Sequence, residues 1–369
     1  MKISRKVEYL EELDFSSSEC VETMFSRFSL MKNTIKNLNN SYIGNKKELL
    51  LDILKLLDQN KINFGSVLDL FCGGASFSIL MKMMGKKVIC NDILYSSFIY
   101  SKAFIENNKN ILSKEETDFL VHRKSKNDDF VAKNFSNRFT EKECEFLDNY
   151  YSNIIYLYGE DDVIDKYEYK KALAFANIQL YIISRCFLGG NLNNGQIIAE
   201  SNFRINHNRN CGQEMNFKNI QWKSLISENN TYKNEVYNWD AIEFLEQIKP
   251  AVDLAYFDPP YGGQQSDYTE MYNFFECYFL HSLNYKNKNS NRFCNSKDYE
   301  YHFIKLIQNS LYIPNILISY NNSSWANIDE IKNIISKYRK IIEVKEVSHK
   351  YKYRKNRQEN ISEYLILAG

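Results

Sequence analysis

The stretch GSVLDLFCGGASFSILMKMMGKKVICND, residues 65–92, decides the fold. It reads as a short apolar strand, a turn at Gly73 and Gly74, an apolar helix and a second strand that ends at Asp92. Strands that alternate with helices in this order build a parallel sheet. The sequence therefore predicts an α/β fold, and it places Asp69 and Asp92 at the carboxyl ends of two strands.

The same alternation continues on both sides of this stretch. Residues 41–60, SYIGNKKELLLDILKLLDQN, predict a turn and a helix before the first strand. Strand-like runs return at NEVYNWD (234–240), VDLAYFD (252–258) and NILISYNN (315–322), and the closing IIEVKEVSHKYKYRKNRQENISEYLILAG is typical of an antiparallel hairpin. We predict a mostly parallel sheet with an antiparallel hairpin at its C-terminal end.

The alternation stops between residues 110 and 232. Two parts of this segment, 140–159 and 167–190, have helical spacing, whereas 191–219 is polar and predicts loops or a hairpin. A structured insertion of this kind is more typical of a functional subdomain than of a loop. We therefore divide the chain into an N-terminal segment with the first half of the sheet domain (1–109), an inserted subdomain (110–232) and the second half of the sheet domain (233–369).

Composition limits the class of protein. The 369 residues are 44% hydrophobic and 25% charged, which is typical of a globular chain. With 47 basic and 46 acidic residues the net charge is +1, which neither requires nor excludes a nucleic-acid partner. We expect no membrane span, because no apolar run is long enough. The eight cysteines lack CxxC spacing, so we expect reduced thiols in a cytosolic protein and no metal site.

Three strands in series end in an acid. Asp92 lies about 20 residues beyond the Gly-Gly turn, where an acid can accept hydrogen bonds from ribose hydroxyls. An ordinary helix N-cap is the alternative. Asp240 could accept from an adenine amino group or cap the helix that follows it. Together with Asp69, the acids outline a nucleoside-bearing ligand that lies along the edge of the sheet.

The fourth strand ends in DPPY, residues 258–261. The two prolines supply no N–H groups to a sheet ladder, so the strand stops there and Asp258 stands at the carboxyl edge. The Asp258 carboxylate and the Pro259 carbonyl can accept the two N–H groups of one exocyclic amine, and Tyr261 can stack on its base. If the substrate is such an amine on a base, the base must first leave its duplex to reach this site; a plain strand-ending turn is the alternative.

Taken together, these motifs resemble those of a known family. YIGNK (42–46), DLFCGG (69–74) and DPPY (258–261), in this order and with an insertion before DPPY, are similar to the motif set of the Dam-like (D12, class α) adenine-N6 DNA methyltransferases. The resemblance covers about 40–110 and 234–369. It implies a Rossmann-like sheet that binds S-adenosylmethionine (SAM) and a largely helical target-recognition insertion. The implied reaction is methylation of adenine N6 in double-stranded DNA.

The resemblance also implies a role for individual residues. The residues that it assigns to SAM are Tyr42, Lys46, Asp69, Phe71, Gly73, Asp92, Asp240 and Asp258. Among these, Asp92 would hold the ribose, Asp240 the adenine amino group, and Asp258 both the SAM side and the target amine. The residues that it assigns to catalysis are Asp258, Pro259, Pro260 and Tyr261.

One position departs from the family pattern. Family members often carry glycine where this chain has Ala75. Because alanine disfavours a positive φ, we expect an ordinary or slightly reshaped turn at this position.

Two polar segments are candidates for DNA contact. The hairpin tip HKYKYRKNR (349–357) is basic with interleaved aromatics, which favours phosphate contacts, although a solvated hairpin is the simpler alternative. NFRINHNRNCGQ (202–213) could reach bases, since asparagine and glutamine read adenine and arginine reads guanine. The candidate DNA-binding residues are Arg204, Arg209, Lys352, Arg354 and Arg357.

Other functions compete with adenine methylation. Cytosine-N4 methylation attacks a similar amine, and related Pro-Pro-Tyr motifs act on RNA and protein amides. A non-catalytic DNA-binding module and a nicotinamide oxidoreductase are alternatives on the same kind of sheet, although the chain lacks GxGxxG. We favour a site-specific adenine methyltransferase that acts on DNA in the prokaryotic cytosol, with a cognate restriction endonuclease as a candidate partner.

Overall fold

The computed structural model describes residues 46–125, 128–160, 167–186, 232–260, 272–285, 292–293, 297–321, 326–349 and 361–369. The strands in this part of the chain are β1 (Ser66–Asp69), β2 (Lys87–Asn91), β3 (Glu235–Tyr237), β4 (Leu254–Phe257), β5 (Asn315–Asn321), β6 (Ile341–His349) and β7 (Ile361–Ala368). They form one sheet in the order β3-β2-β1-β4-β5-β7-β6. The pairs from β3 to β5 are parallel, whereas β7 is antiparallel to β5 and to β6. The predicted fold class, a mostly parallel sheet with an antiparallel C-terminal hairpin, is confirmed.

The order of the strands creates a crevice at one edge of the sheet. From β1 the chain continues to β2 and β3 on one side, and it later returns to β4 and β5 on the other side. β1 therefore pairs in parallel with both β2 and β4. Open α/β sheets bind their ligands beyond the carboxyl ends of the strands where the order reverses in this way. In this sheet that position is beyond the carboxyl ends of β1 and β4.

Helices cover both faces of the sheet. Those in the described residues are α1 (Leu50–Gln59), α2 (Ser76–Met83), α3 (Tyr95–Ser101), α4 (Lys114–His122), α5 (Phe130–Phe135), α6 (Glu141–Tyr158), α7 (Glu168–Cys186), α8 (Ala241–Gln247), α9 (Asn273–Phe279), α10 (Tyr299–Asn309) and α11 (Ile328–Ser336). α3 continues as a π-helical turn over Lys102–Glu106. The two segments that were predicted to be helical between 140 and 190 are α6 and α7, and the helix predicted near residue 50 is α1.

Successive residues of the strands belong to two different hydrophobic clusters, one on each face of the sheet. Val67 of β1 belongs to a cluster with α1 to α7 and α9, whereas its neighbour Leu68 belongs to a cluster with α8, α10 and α11. Residues of β1 and β4 are almost fully buried, as expected for parallel strands covered on both faces.

The helices between residues 110 and 186 share the first of these clusters. Leu120 of α4, Tyr150 of α6 and Leu173 of α7 are buried together with residues of α1 and β1. Local sequence fixes where α4 and α6 begin, because Ser113 and Glu116 form a capping box, as do Thr140 and Glu143. The buried residues of these helices thus share one hydrophobic cluster with a central strand of the sheet. The division of the chain at 110 and 232 stays a prediction.

Candidate active site

The crevice is flanked by two carboxylates from adjacent strands. Asp69 is the last residue of β1, and Asp258 directly follows the last residue of β4. The Leu70 N–H donates to the carbonyl of Tyr256 at 3.1 Å, so the pairing of β1 with β4 continues to the edge. Beyond that point Pro259 and Pro260 have no N–H to donate. The structure thus places Asp258 at the edge, as the sequence predicted.

Asp69 is a buried acid with an unsatisfied oxygen. Its side chain is 2% exposed, and Oδ2 accepts a hydrogen bond from the Ser78 hydroxyl at 2.6 Å. Among the residues that the structure describes, Oδ1 has no hydrogen-bond partner. Burial raises the pKa of Asp69 to about 7, despite the bond from Ser78, and the charges of Asp258 and Asp92 add to this effect. Such a group favours a ligand that brings an N–H donor with positive charge.

The Gly-rich turn and Asp92 form one hydrogen-bonded unit. Gly73 has φ 49°, and its N–H donates to Asp92 Oδ2 at 2.7 Å. Asp92 Oδ1 accepts from the Leu94 N–H at 2.9 Å. The N-cap position of α3 is Leu94, so the capping alternative does not describe Asp92 itself. Burial raises the pKa of Asp92 to about 6. Its role toward a ribose stays a prediction.

The expectation for Ala75 was wrong. This residue has φ 55° and ψ 28°, the left-handed conformation that glycine adopts more easily. Its N–H closes the turn on the Cys72 carbonyl at 2.6 Å, and its carbonyl accepts the first helical bond, from Ile79, at 2.8 Å. The methyl group is fully buried in the hydrophobic cluster. Burial of that methyl, about 0.8 kcal/mol, partly offsets a conformational cost of about 1–2 kcal/mol, so the turn keeps its shape without a glycine.

Asp240 caps a helix. Its Oδ1 accepts from the N–H groups of Ile242 and Glu243 at the start of α8, which is the capping alternative raised by the sequence. Its Oδ2 lies 3.5 Å from Nε of Arg292, whose Nη2 donates to Glu243 at 2.8 Å. The proposed contact of Asp240 with an adenine amino group stays a prediction.

Asn91 is a residue that the sequence interpretation missed. It is fully buried at the end of β2, where its Nδ2 donates to the carbonyls of Trp239 at 3.1 Å and Leu70 at 3.3 Å. Its Oδ1 accepts from the Trp239 N–H at 3.1 Å. One side chain thus joins the ends of three strands. The signal in the sequence was an amide at the end of an apolar strand, next to Asp92.

A second set of missed residues surrounds Asp258. Ser319 of β5 donates a hydrogen bond to Asp258 Oδ1 at 2.7 Å, and the hydroxyl of Tyr256 donates to Ser319 Oγ at 3.0 Å. Lys46 Nζ lies 3.4 Å from the same Asp258 oxygen and 3.7 Å from Oε1 of Glu363 on β7. Lys46, which the resemblance assigned to SAM, therefore sits between two carboxylates of the protein. Its contact with SAM stays a prediction.

Comparison with known proteins shows which enzymes share these features. The family model described as "D12 class N6 adenine-specific DNA methyltransferase" matches residues 42–350. This range includes the motif 42–46, the Gly-rich turn, the insertion and DPPY. The chain belongs to the D12 class of adenine-specific DNA methyltransferases. The predicted enzyme class is confirmed.

Three relatives of this chain are named as methyltransferases or methylases. The Type II methyltransferase M2.HphI of Haemophilus parahaemolyticus is 30% identical over 341 residues, which cover 89% of this chain and 96% of that protein. The Type II methyltransferase M.FokI of Planomicrobium okeanokoites is 26% identical over 323 residues, or 80% of this chain and 47% of the relative. Modification methylase StsI of Streptococcus sanguinis is 24% identical over 354 residues, 87% of this chain and 49% of the relative. The chain thus spans about half of the latter two.

The remaining predicted site residues of the methyltransferase are placed as follows. The ring of Phe71 packs edge-on against Phe293 with centroids 5.4 Å apart, and Pro259 is buried. Several predicted residues lie outside the described residues, namely Tyr42, Arg204, Arg209, Tyr261, Lys352, Arg354 and Arg357. In the part of the chain that the structure describes, no helix is long and apolar enough to cross a membrane.

Proposed function

We propose that this enzyme transfers a methyl group from SAM to N6 of an adenine that has been flipped out of double-stranded DNA. The observation that carries the proposal is the pair of carboxylates at the reversal of strand order, Asp69 at the end of β1 and Asp258 after β4. Asp69 suits the cofactor, and Asp258 suits the target amine. Membership of the D12 class supports the choice of adenine.

The residues around the Gly-rich turn fit SAM. The buried Asp69 oxygen without a partner suits the ammonium group of the methionine part, because a charged donor would satisfy it and offset the cost of its burial. Gly73, with its positive φ, lets a ligand approach the backbone of the turn. Asp92 accepts hydrogen bonds from the backbone N–H groups of Gly73, Ile93 and Leu94, and a carboxylate offers about four lone-pair positions, so acceptor capacity remains for a ribose hydroxyl.

Asp258 and Pro259 act on the target amine. When bound, SAM supplies a methyl group as an electrophile: the S–CH3 bonding pair stays on sulfur, the N6 lone pair forms the new N–CH3 bond, and one N6 proton leaves to solvent. The adenine lone pair is delocalised into the ring. Two acceptors, the Asp258 carboxylate and the Pro259 carbonyl, draw the amine out of the ring plane and stabilise the positive charge that develops on nitrogen.

Recognition of the DNA sequence is proposed to lie in residues 110–232. This segment lies between the π-helical turn after α3 and β3 in the chain, and its described helices share a hydrophobic cluster with α3. Base contacts from Arg204 and Arg209, and phosphate contacts from Lys352, Arg354 and Arg357, are part of this proposal. M2.HphI and M.FokI are named type II methyltransferases, which supports a restriction endonuclease as the functional partner of this enzyme.

Identification of the modified base tests the proposed function. The protein is incubated with methyl-labelled SAM and duplex DNA of mixed sequence, and the DNA is then hydrolysed to nucleosides. We expect the label on N6-methyl-2′-deoxyadenosine, and almost no incorporation with Asp258→Ala. Label on N4-methylcytosine would move the enzyme to the cytosine branch, and label on the protein or on RNA alone would contradict a DNA substrate.

A further inference from the structure

A buried polar network lies behind Asp258. It contains Tyr256 of β4, Ser319 of β5, Glu363 of β7 and Lys46, which precedes α1. Tyr256 is 3% exposed, Ser319 0% and Glu363 1%. Burial of this many polar groups is costly unless they bond to one another. Neither the motif set nor the proposed transfer step requires Ser319, Tyr256 or Glu363.

The first arm of the network has a defined direction. A carboxylate only accepts hydrogen bonds, so the single hydroxyl proton of Ser319 points to Asp258 Oδ1, 2.7 Å away. The Tyr256 hydroxyl then donates to Ser319 Oγ at 3.0 Å. Burial raises the pKa of Tyr256 well above its usual range, so it keeps the proton that it donates. The arm therefore delivers one oriented donor to one oxygen of Asp258.

The second arm reaches the same oxygen through a charge. Lys46 Nζ lies 3.4 Å from Asp258 Oδ1 and 3.7 Å from Oε1 of Glu363. Glu363 is held in turn by Nδ2 of Asn321, at 3.2 Å from the same Oε1. A lysine that is 8% exposed is stabilised by negative partners, and Glu363 supplies a second one in addition to Asp258. Glu363 thereby fixes where the ammonium group stands.

Both arms contact Oδ1 of Asp258, and this shared contact determines their effect on the carboxylate. The terminal torsion of an aspartate is broad and roughly two-fold, so packing alone does not fix the plane of its carboxylate. A hydroxyl donor from β5 and an ammonium group on the same oxygen do fix it. Because attack on a methyl group needs the acceptor within a narrow geometry, a rotated carboxylate would slow the transfer without weakening the binding of either substrate.

We propose that Ser319 and Glu363 are positioning residues that hold the plane of the Asp258 carboxylate, Ser319 directly and Glu363 through Lys46. This inference rests on the proposed function, in which Asp258 accepts an N–H of the target amine. It predicts a loss in the rate of methyl transfer at saturating SAM and DNA, with both affinities kept. A merely structural role would change stability and leave that rate unaltered.

The test compares two buried serines. Ser319→Ala removes the donor to Asp258, whereas Ser310→Ala removes an equally buried hydroxyl that donates to the Ile307 carbonyl, outside the network. Single-turnover rates are measured on an adenine-containing duplex at saturating SAM, with SAM affinity by calorimetry and DNA affinity by fluorescence anisotropy. We expect Ser319→Ala to lose about 10- to 100-fold in rate, and Ser310→Ala to match the parent.

Further variants should give intermediate losses in the rate of methyl transfer. Tyr256→Phe leaves the Ser319 proton on Asp258 and should lose less rate than Ser319→Ala. If Ser319→Ala fails to fold, Ser319→Cys keeps the volume with a weaker donor, and it should fall between the parent and Asp258→Ala. A parent-like rate for whichever Ser319 variant folds would overturn the role of Ser319.

Glu363→Gln tests the second arm. It keeps an acceptor for Asn321 and removes the charge that faces Lys46. We expect a slower single-turnover rate with unchanged SAM affinity. A weaker SAM affinity with a parent-like rate at saturation would instead place the effect of Glu363 in the cofactor site and overturn its role toward Asp258.

The parent enzyme separates the two levels of inference. Its methylated base is identified first on the same duplex. If no methyl group reaches adenine N6, the proposed function fails. If adenine is methylated and Asp258→Ala is inactive, while the Ser319 and Glu363 variants react like the parent, the positioning role fails and the proposed function stands.

Discussion

Replacing Asp69 by asparagine should make the free enzyme more stable at neutral pH and lower its affinity for the cofactor. The reason is that Asp69 is a fully buried carboxyl with one oxygen lacking a partner among the described residues. The negative charge of Asp69 therefore destabilises the folded protein until the ammonium group of SAM binds beside it. Asparagine has nearly the same shape and can still accept from Ser78, but it never becomes charged.

The size of the effect follows from the pKa of Asp69. Burial raises this pKa from 3.8 to about 7, and each unit is worth 1.36 kcal/mol, so the charged form costs about 4 kcal/mol at most. The folded state holds the proton more tightly than the unfolded chain. The contribution of this group to stability is therefore fully present below pH 3.8 and is lost as the pH rises toward about 7. Burying an unmatched amide N–H costs the variant about 1–3 kcal/mol at every pH.

The measurement is the pH dependence of the difference between variant and parent. Urea unfolding is followed from pH 5 to pH 8 for both proteins. The free energy of unfolding of Asp69→Asn minus that of the parent should rise by about 2–3 kcal/mol across this window. Calorimetry on the same samples should show weaker SAM binding by the variant, and SAM affinity of the parent that rises with pH as Asp69 ionises.

Asp253→Asn provides a control with the opposite chemistry. Asp253 accepts from the N–H groups of Gly65 and Ser66 and from the Ser66 hydroxyl, and these bonds hold its pKa below the ordinary value. Its stabilisation is present above pH 3.8 and is lost as the pH falls through its lower folded pKa, so Asp253→Asn should be less stable than the parent by a constant amount between pH 5 and 8. A difference that is equally flat for Asp69→Asn would refute the reasoning about Asp69.

Three further outcomes are expected. Asp92→Ala should weaken SAM binding by about 1–3 kcal/mol through lost ribose hydrogen bonds, and unchanged affinity in a folded variant would remove Asp92 from the site. Asp258→Ala should nearly abolish turnover with DNA binding kept, Asp258→Asn should retain some activity because it keeps an oxygen, and Tyr261→Ala should weaken capture of the flipped base more than Tyr261→Phe. Steady-state kinetics on an adenine-containing duplex decides that order, and parent-like turnover by Asp258→Ala contradicts it. Exchange of residues 110–232 with those of a relative should transfer the methylation site, as read by mapping methylated positions; an active chimera that kept the original site would place recognition elsewhere.

Local patterns in the sequence predicted the features that depend on local chemistry. The strand before Asp69, the turn at Gly73 and the strand that ends at the DPPY prolines follow from apolar runs and from residues that stop a ladder. The same local view gave two alternatives for Asp240 and could not choose between them. The structure shows the helix cap, because the two N–H groups at the start of α8 stand directly above its carboxylate.

The features that sequence interpretation missed depend on contacts between distant segments. Ser319 and Glu363 become neighbours of Asp258 because β5 lies beside β4 and β7 lies beside β5, an order that no local pattern contains. Polar residues within the apolar runs NILISYNN and ISEYLILA were the available signal. The wrong expectation at Ala75 has a related cause, since the burial of its methyl group in the core, which offsets part of the conformational cost, depends on distant segments.

The neighbourhood of β1 and β4 also has a consequence for how the protein is made. The Ser66 N–H donates to Asp253, and these two residues are 187 positions apart in the chain. At about 5–20 residues per second, a ribosome needs about 10–40 s to travel that distance. During this time β1 can pair with β2, but both outer edges of the pair are open, and open edges attract the strands of other chains. The helices between residues 110 and 186 leave the ribosome in that interval, and their buried residues join the hydrophobic cluster that includes Val67. They therefore add to the core on one side of a half-built sheet before its remaining strands exist.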